Sequence, residues 1–219
     1  MKWTSIIAAT ASGSVGGCTA SHNRGGQYMR RRAMPVNPGS LFAQEITASL
    51  ALLVARWRTV LTPTQRDAWD ALAFGTAPTG MNLYVQANTI RLAAGATVVD
   101  DAPATSGQGV CSLCTAFDAD VSAQNFKVSF VNTDPWAVAV GGHLLIYASR
   151  PQALSINFFK GPYRLAGAVN GAVVPPTSPA TITVPFPIAL DQKLFVQLRS
   201  TDPDGRLSAI QRFGMVTIP

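Results

Sequence analysis

Lys193-Leu194-Phe195-Val196-Gln197-Leu198-Arg199-Ser200 runs directly into Thr201-Asp202-Pro203-Asp204-Gly205-Arg206-Leu207-Ser208. In the first octet Leu194, Val196 and Leu198 share one parity, while Lys193, Gln197 and Arg199 share the other. A repeat of two places these sets on opposite faces of an extended strand, one apolar and one mixed. Asp204-Gly205 then supplies residue types that tolerate a tight reversal. The stretch predicts a strand, a turn and a returning strand near the carboxy terminus.

Working backward, the same language recurs at Val110 to Ala116, Asn125 to Asn132, His143 to Ser149, Tyr163 to Val169 and Ala180 to Phe186, with Leu207 to Ile218 closing the series. Turn formers separate the runs. About seven short strands spaced in this way predict a two-sheet antiparallel sandwich over 110–219. The Lys193 to Ser208 stretch resembles the last hairpin of a fibronectin type III or immunoglobulin-like domain. That resemblance covers the carboxy-terminal half. It implies the sandwich fold and no function, because such domains carry many functions.

Upstream the period changes. After Ser40, a capping residue type, Phe42, Ile46, Leu50, Leu53, Trp57 and Val60 step by three or four and predict a helix to about Val60. Thr62-Pro63-Thr64-Gln65 has threonine at N-cap, proline at N1 and glutamine at N3, the pattern of a capping box, and predicts a second helix to about Phe74. Arg66 and Asp70 stand one turn apart in it. A third helix is predicted over Asn82 to Ala94, with Gly95 at the C-terminal capping position. Trp57 and Trp69 are the expected anchors of the small core these helices share. Residues 96–109 are rich in turn formers and read as a linker. The expected organisation is α+β: a basic arm over 1–39, a helical unit over 40–95, the linker, and the sandwich.

The chain's net charge of plus six resides at its amino-terminal end. Lys2, Arg24, Arg30, Arg31, Arg32, Arg56 and Arg58 face only Glu45 in the first sixty residues, and the remainder balances ten basic against ten acidic side chains. Such asymmetry points to an anionic surface as partner. Asn23-Arg24-Gly25-Gly26 has hairpin chemistry between two short extended stretches. On a strand over 27–33, Tyr28, Arg30 and Arg32 take one face and Met29, Arg31 and Ala33 the other. A free hairpin buries too little apolar surface to hold itself, so the arm is expected to order against a partner. Of three readings for the arginines, an assembly arm lying along neighbouring subunits comes first. A solvated basic tail and a grip on nucleic acid follow; the arm has one aromatic residue and no recognisable binding module.

Catalysis finds few parts. His22 and His143 are isolated, and no GxSxG, HExxH or phosphate-binding glycine loop occurs. Cys111 and Cys114 stand three apart on a predicted strand, where they face opposite ways; metal would also need two further ligands. No cofactor, metal or enzymatic activity is expected. No stretch is apolar for long enough to cross a membrane as a helix. The start of the chain reads as neither a signal peptide nor a lipoprotein box at Cys18, because Thr4, Ser5 and Thr10 dilute its apolar run.

Three stretches carry a second resemblance: Gly25-Gly26-Gln27-Tyr28-Met29-Arg30-Arg31-Arg32-Ala33-Met34-Pro35-Val36-Asn37-Pro38, Leu61-Thr62-Pro63-Thr64-Gln65-Arg66-Asp67-Ala68-Trp69 and Gly80-Met81-Asn82-Leu83-Tyr84-Val85-Gln86-Ala87-Asn88. Together they resemble uncharacterised structural proteins of tailed phages and prophages, with an RxRxxPxNP-like stretch, an LTxxQRxxW helix and a GxNxYxxxN helix before a β-domain. The resemblance spans residues 13 to 95. It implies a virion building block without enzymatic activity. The expected role is a capsid-associated decoration or cement (minor capsid) protein, in several copies, whose partners are other capsid or tail proteins. Arg24, Tyr28, Arg30, Arg31 and Arg32 are its expected contact residues. The alternatives are a tail or fibre component, or a DNA-binding accessory protein using the arm on phosphates.

Overall fold

The computed structural model describes residues 12–23, 26–34, 39–105, 107–108 and 114–218. The protein is mixed α and β, with four helices and three antiparallel sheets among the described residues. It divides into two compact units, Met1–Gln44 and Glu45–Pro219.

In the first unit β1 (Gly13–Val15), β2 (Cys18–Asn23) and β3 (Gly26–Arg31) form a meander in chain order. Gly16, at φ 58°, takes the left-handed conformation that the two-residue turn between β1 and β2 requires. The sequence predicts a two-stranded hairpin; the third strand comes from Gly13–Val15, too short to register as a periodic run. No described side chain of residues 12–34 is buried. The sheet stands on backbone pairing and has no apolar core of its own.

In the second unit, α1 (Leu41–Thr59, begun in the first), α2 (Pro63–Ala73) and α3 (Gly80–Ala93) surround Leu53, Leu61, Trp69, Tyr84 and Ala87. Ser40 Oγ accepts from the Ala43 amide at 3.3 Å at the start of α1. The capping box forms as predicted: the Gln65 amide donates to Thr62 Oγ1 at 3.3 Å, and the Thr62 amide donates to Gln65 Oε1 at 2.9 Å. The apolar stripe of α1 is only partly used. Leu53 is buried and Trp57 half-buried, but Ile46, Leu50 and Val60 are exposed, and the Phe42 side chain lies outside the described set. Helical periodicity fixes which residues share a face, while the length of α2 and α3 fixes how much of that face is covered.

Residues 97–102 are tied down by the motif residues of α2 and α3. Asn88 brackets Val99, its Nδ2 donating to the Val99 carbonyl at 2.9 Å and its Oδ1 accepting from the Val99 amide at 2.7 Å. Trp69 Nε1 donates to the Asp100 carbonyl at 2.9 Å, and Tyr84 donates its hydroxyl proton to Asp100 Oδ1 at 3.1 Å. A stretch without periodicity is thus ordered by side chains that reach out to its backbone.

Two sheets follow. The smaller has the order β4 (Ala116–Asp120), β5 (Asn125–Ser129), β9 (Ala180–Thr183). The larger has the order β11 (Gln211–Ile218), β10 (Gln192–Thr201), β6 (His143–Ala148), β8 (Arg164–Asn170), with the short β7 (Gln152–Ala153) also on β10. Both contribute to one core: Phe117, Phe126 and Val128 meet Leu144, Ile146, Leu194, Val196 and Leu198. The apolar parity of the opening octet faces this core as predicted. Its other parity is not left to solvent: Phe195 is buried beneath Phe159, rings stacked at 5.6 Å and 19°. α4 (Pro135–Val138) closes one end with Trp136, fully buried. It opens on Asp134-Pro135, a helix-start signal followed by too few residues to show helical periodicity. The first predicted strand, Val110 to Ala116, is described only in its last three residues. Val110 to Leu113 lie outside the described residues, Cys114 and Thr115 are not in a strand, and pairing begins at Ala116.

Candidate functional site

The ladder between β2 and β3 pairs Asn23 with Gly26 and ends at Cys18 opposite Arg31. Cross-strand partners share a face, so Arg30 stands beside Thr19 and Tyr28 beside Ser21, while Arg31 stands beside Cys18 and Met29 beside Ala20. Ser14 and Thr19 join their hydroxyl groups at 2.8 Å across β1 and β2. Tyr28 is half-buried; Arg30, Arg31 and Arg32 are exposed. Of the five expected contact residues, Tyr28, Arg30 and Arg31 lie on β3, with Arg31 on the face opposite the other two, Arg32 follows the strand, and Arg24 lies outside the described residues. Residues 12–34 contain no Asp or Glu. Three adjacent guanidinium groups therefore present fork-shaped donors with no carboxylate of their own segment to satisfy them.

Not every amino-terminal arginine is available in this way. Arg56 pairs with Asp100 at 2.5 Å, and its guanidinium is held above its ordinary value, chiefly by that hydrogen bond. Arg56 is engaged within the helical unit.

The remaining chemistry-bearing residues are dispersed. His22 lies exposed on β2. His143 is buried at the start of β6, its Nδ1 2.9 Å from Asn170 Oδ1. Cys114 is buried, its Sγ donates to the Ala116 carbonyl at 3.2 Å, and burial pushes the thiol up to about 11; Cys111 lies outside the described residues. Among the described residues no group of three or more His, Cys, Asp or Glu side chains is placed to hold a metal ion.

Two features escape the sequence. Arg91, only 3% exposed, donates through Nη1 to the carbonyls of Asp202 at 2.7 Å and Gly141 at 3.2 Å, and through Nε to Thr97 at 3.0 Å. Burial holds the guanidinium below its ordinary value. It joins α3 to the sheets, and nothing in its spacing distinguishes it from a surface arginine. The second is a cleft of about 240 Å³ between Asn157, Phe159, Tyr163, Phe195 and Arg212, overhung by Phe158, which is 74% exposed. No protein-family model, curated protein or solved structure matches this chain.

Proposed function

We propose that this chain is a structural protein of a tailed-phage or prophage particle, a decoration or minor capsid component held on the shell by its amino-terminal sheet. One observation carries the reading: residues 12–34 form a sheet with no buried side chain and three adjacent exposed arginines. A surface that is neither packed nor neutralised within its own segment gains most when another molecule completes it. The body it is joined to carries few charges, as expected of a component covered by neighbours.

For residues 116–218 the proposed architecture is a fibronectin type III or immunoglobulin-like sandwich. Its support is the order β4-β5-β9 against β8-β6-β10-β11, with the chain passing between sheets after β5, β8 and β9. On this reading it is the projecting or bridging body.

A tail or fibre position is the second reading, favoured by the aromatic overhang of Phe158 beside its cleft, which offers the body a contact surface of its own. Service as a DNA-binding accessory fits less well, because alternation along β3 sends Arg30 and Arg31 to opposite faces. Mass spectrometry and electron cryomicroscopy of purified particles test the proposal. The chain is expected in a copy number that follows shell symmetry. Copies confined to a tail select the second reading, and particles that lack the chain overturn both.

A further inference from the structure

The outer edge of β3 has a defined backbone pattern. The Arg32 amide donates to the Gly17 carbonyl at 2.8 Å, which marks positions 17 and 32 as a hydrogen-bonded pair. Counting back along the antiparallel register, Arg30 with Thr19 and Tyr28 with Ser21 are the next such pairs. The N–H and C=O groups of Met29 and Arg31 are therefore turned away from β2. Among the described residues β3 ends the sheet on that side, and Met29 is 44% exposed. This is the template on which a further strand pairs.

Charge selects what that strand is. Arg30 projects from one face of the sheet and Arg31 from the other, with Arg32 following. A flat array of phosphates on a duplex or a membrane approaches from one side and meets only one of these sets. An added strand sends its own side chains to both faces, so consecutive carboxylates on it meet guanidinium groups above and below the ladder. A second copy's β3 would instead bring a second set of three guanidinium groups to a segment that has no Asp or Glu.

We propose that the edge of β3 accepts an extended acidic segment of another protein as a fourth strand, with Met29 and Arg31 supplying the backbone pairs and Arg30, Arg31 and Arg32 gripping its carboxylates. This rests on the reading of the arm as an assembly element and names the chemistry of its partner.

The test uses the full chain and a capped peptide of three consecutive glutamates flanked by alternating valine and threonine. Amide exchange followed by NMR is expected to show protection of Met29 and Arg31 on peptide addition. Affinity is expected to fall by about tenfold or more when Arg30, Arg31 and Arg32 are replaced by Ala, as for loss of charge-assisted hydrogen bonds. Met29→Pro removes an outward donor without touching the pairs to β2, and is expected to abolish binding. If that variant loses the sheet, the exchange result on the unaltered chain decides. The proposal is overturned by no peptide binding, or by binding that leaves Met29 and Arg31 unprotected. It is equally overturned by a lysine peptide binding as well, by displacement with a short DNA duplex at lower concentration, or by protection that rises with protein concentration alone. Particle composition is measured separately, so a chain found on the shell that ignores the peptide defeats the strand addition and spares the assembly role.

Discussion

Arg91 Nη1 meets the Asp202 carbonyl at 2.7 Å, tying the last turn of α3 to the turn that follows β10 across 111 residues of chain. Through the same side chain α3 also holds Gly141 and Thr97. One fork thus organises three carbonyls, of which that of Asp202 belongs to a buried residue.

Removing that fork takes a charged donor from three carbonyls, of which that of Asp202 keeps the Gly205 amide at 3.0 Å, and hydrogen bonds from a charged group are worth more than neutral ones. Arg91→Ala is expected to lower unfolding free energy by about 3 kcal/mol. Denaturant unfolding followed at Trp69 and by far-ultraviolet dichroism should then separate into two transitions, as the helices lose their tie to the sheets. Arg91→Lys retains a charge without the planar fork and should fall between the two. A single unshifted transition for Arg91→Ala would show that the joint is held by other contacts.

Alkaline pH should weaken the protein through two buried acids. Burial pushes the Tyr84 phenol up to about 12 from 10.0, and the Cys114 thiol up to about 11 from 9.0. In each case the folded chain holds its proton at a pH where the unfolded chain has released it. The stabilisation is therefore complete below the unfolded value and is lost as pH rises to the folded one, by about 2 to 3 kcal/mol per group for a shift of two units. Unfolding free energy measured between pH 8 and 12 is expected to hold level and then fall from about 9 upward. A level profile throughout would mean that neither group is as dry as its surroundings indicate.

β4 and β5 were legible because one face of each is apolar and the other polar, and that contrast is the signal alternation detects. Leu194, Val196 and Leu198 are buried on the parity they announce. Helix starts were legible where side chain and backbone interact locally, as at Thr62 and Gln65. Long-range polar ties were not. Asn88, Asp100 and Arg91 act on carbonyls, amides and side chains brought near only by the finished fold, so their types and spacing carry no trace of it. Trp69 reads as core and is core, while Tyr84 and Asn88 stand in the motif without a role; all three also order residues 97–102, which by composition resemble a loose connection. The arm was legible in charge and in its second turn. Its third strand was not, because three residues of Gly13–Val15 contain no period to read.

Cysteine chemistry should separate two sites that composition treats alike. Cys18 is exposed on β2 and Cys114 is buried with a raised thiol. The thiolate is the reactive form, so iodoacetamide at pH 8 is expected to modify Cys18 within minutes and to spare Cys114 until denaturant is added. Peptide mapping by mass spectrometry reads both sites in one sample. Equal labelling of the native chain would place Cys114 in contact with solvent and contradict the packing around Phe117.

Gly80 tests the junction of α2 and α3, where a motif residue does its work through the side chain it lacks. Within a helix, alanine is favoured over glycine by about 1 kcal/mol, so Gly80→Ala gains on propensity alone. Here the added Cβ would stand 2.6 Å from the Trp69 carbonyl carbon and 2.6 Å from the Asp70 amide nitrogen, and both are backbone atoms that cannot swing aside. Relief requires the helices to part. That disturbs Trp69 and the bond from the Gly80 amide to Asp70 Oδ1 at 3.1 Å. Overpacking of this kind costs about 1 to 3 kcal/mol, occasionally more, which meets or exceeds the propensity gain. The variant is expected to be net destabilised by about 1 kcal/mol, with Trp69 fluorescence shifted to the red as water gains access. Gly95→Ala serves as a comparison, since no atom crowds that position and its cost comes from a φ of 77° alone. A Gly80→Ala chain as stable as the parent, with unshifted Trp69 emission, would show that the two helices have room to spare.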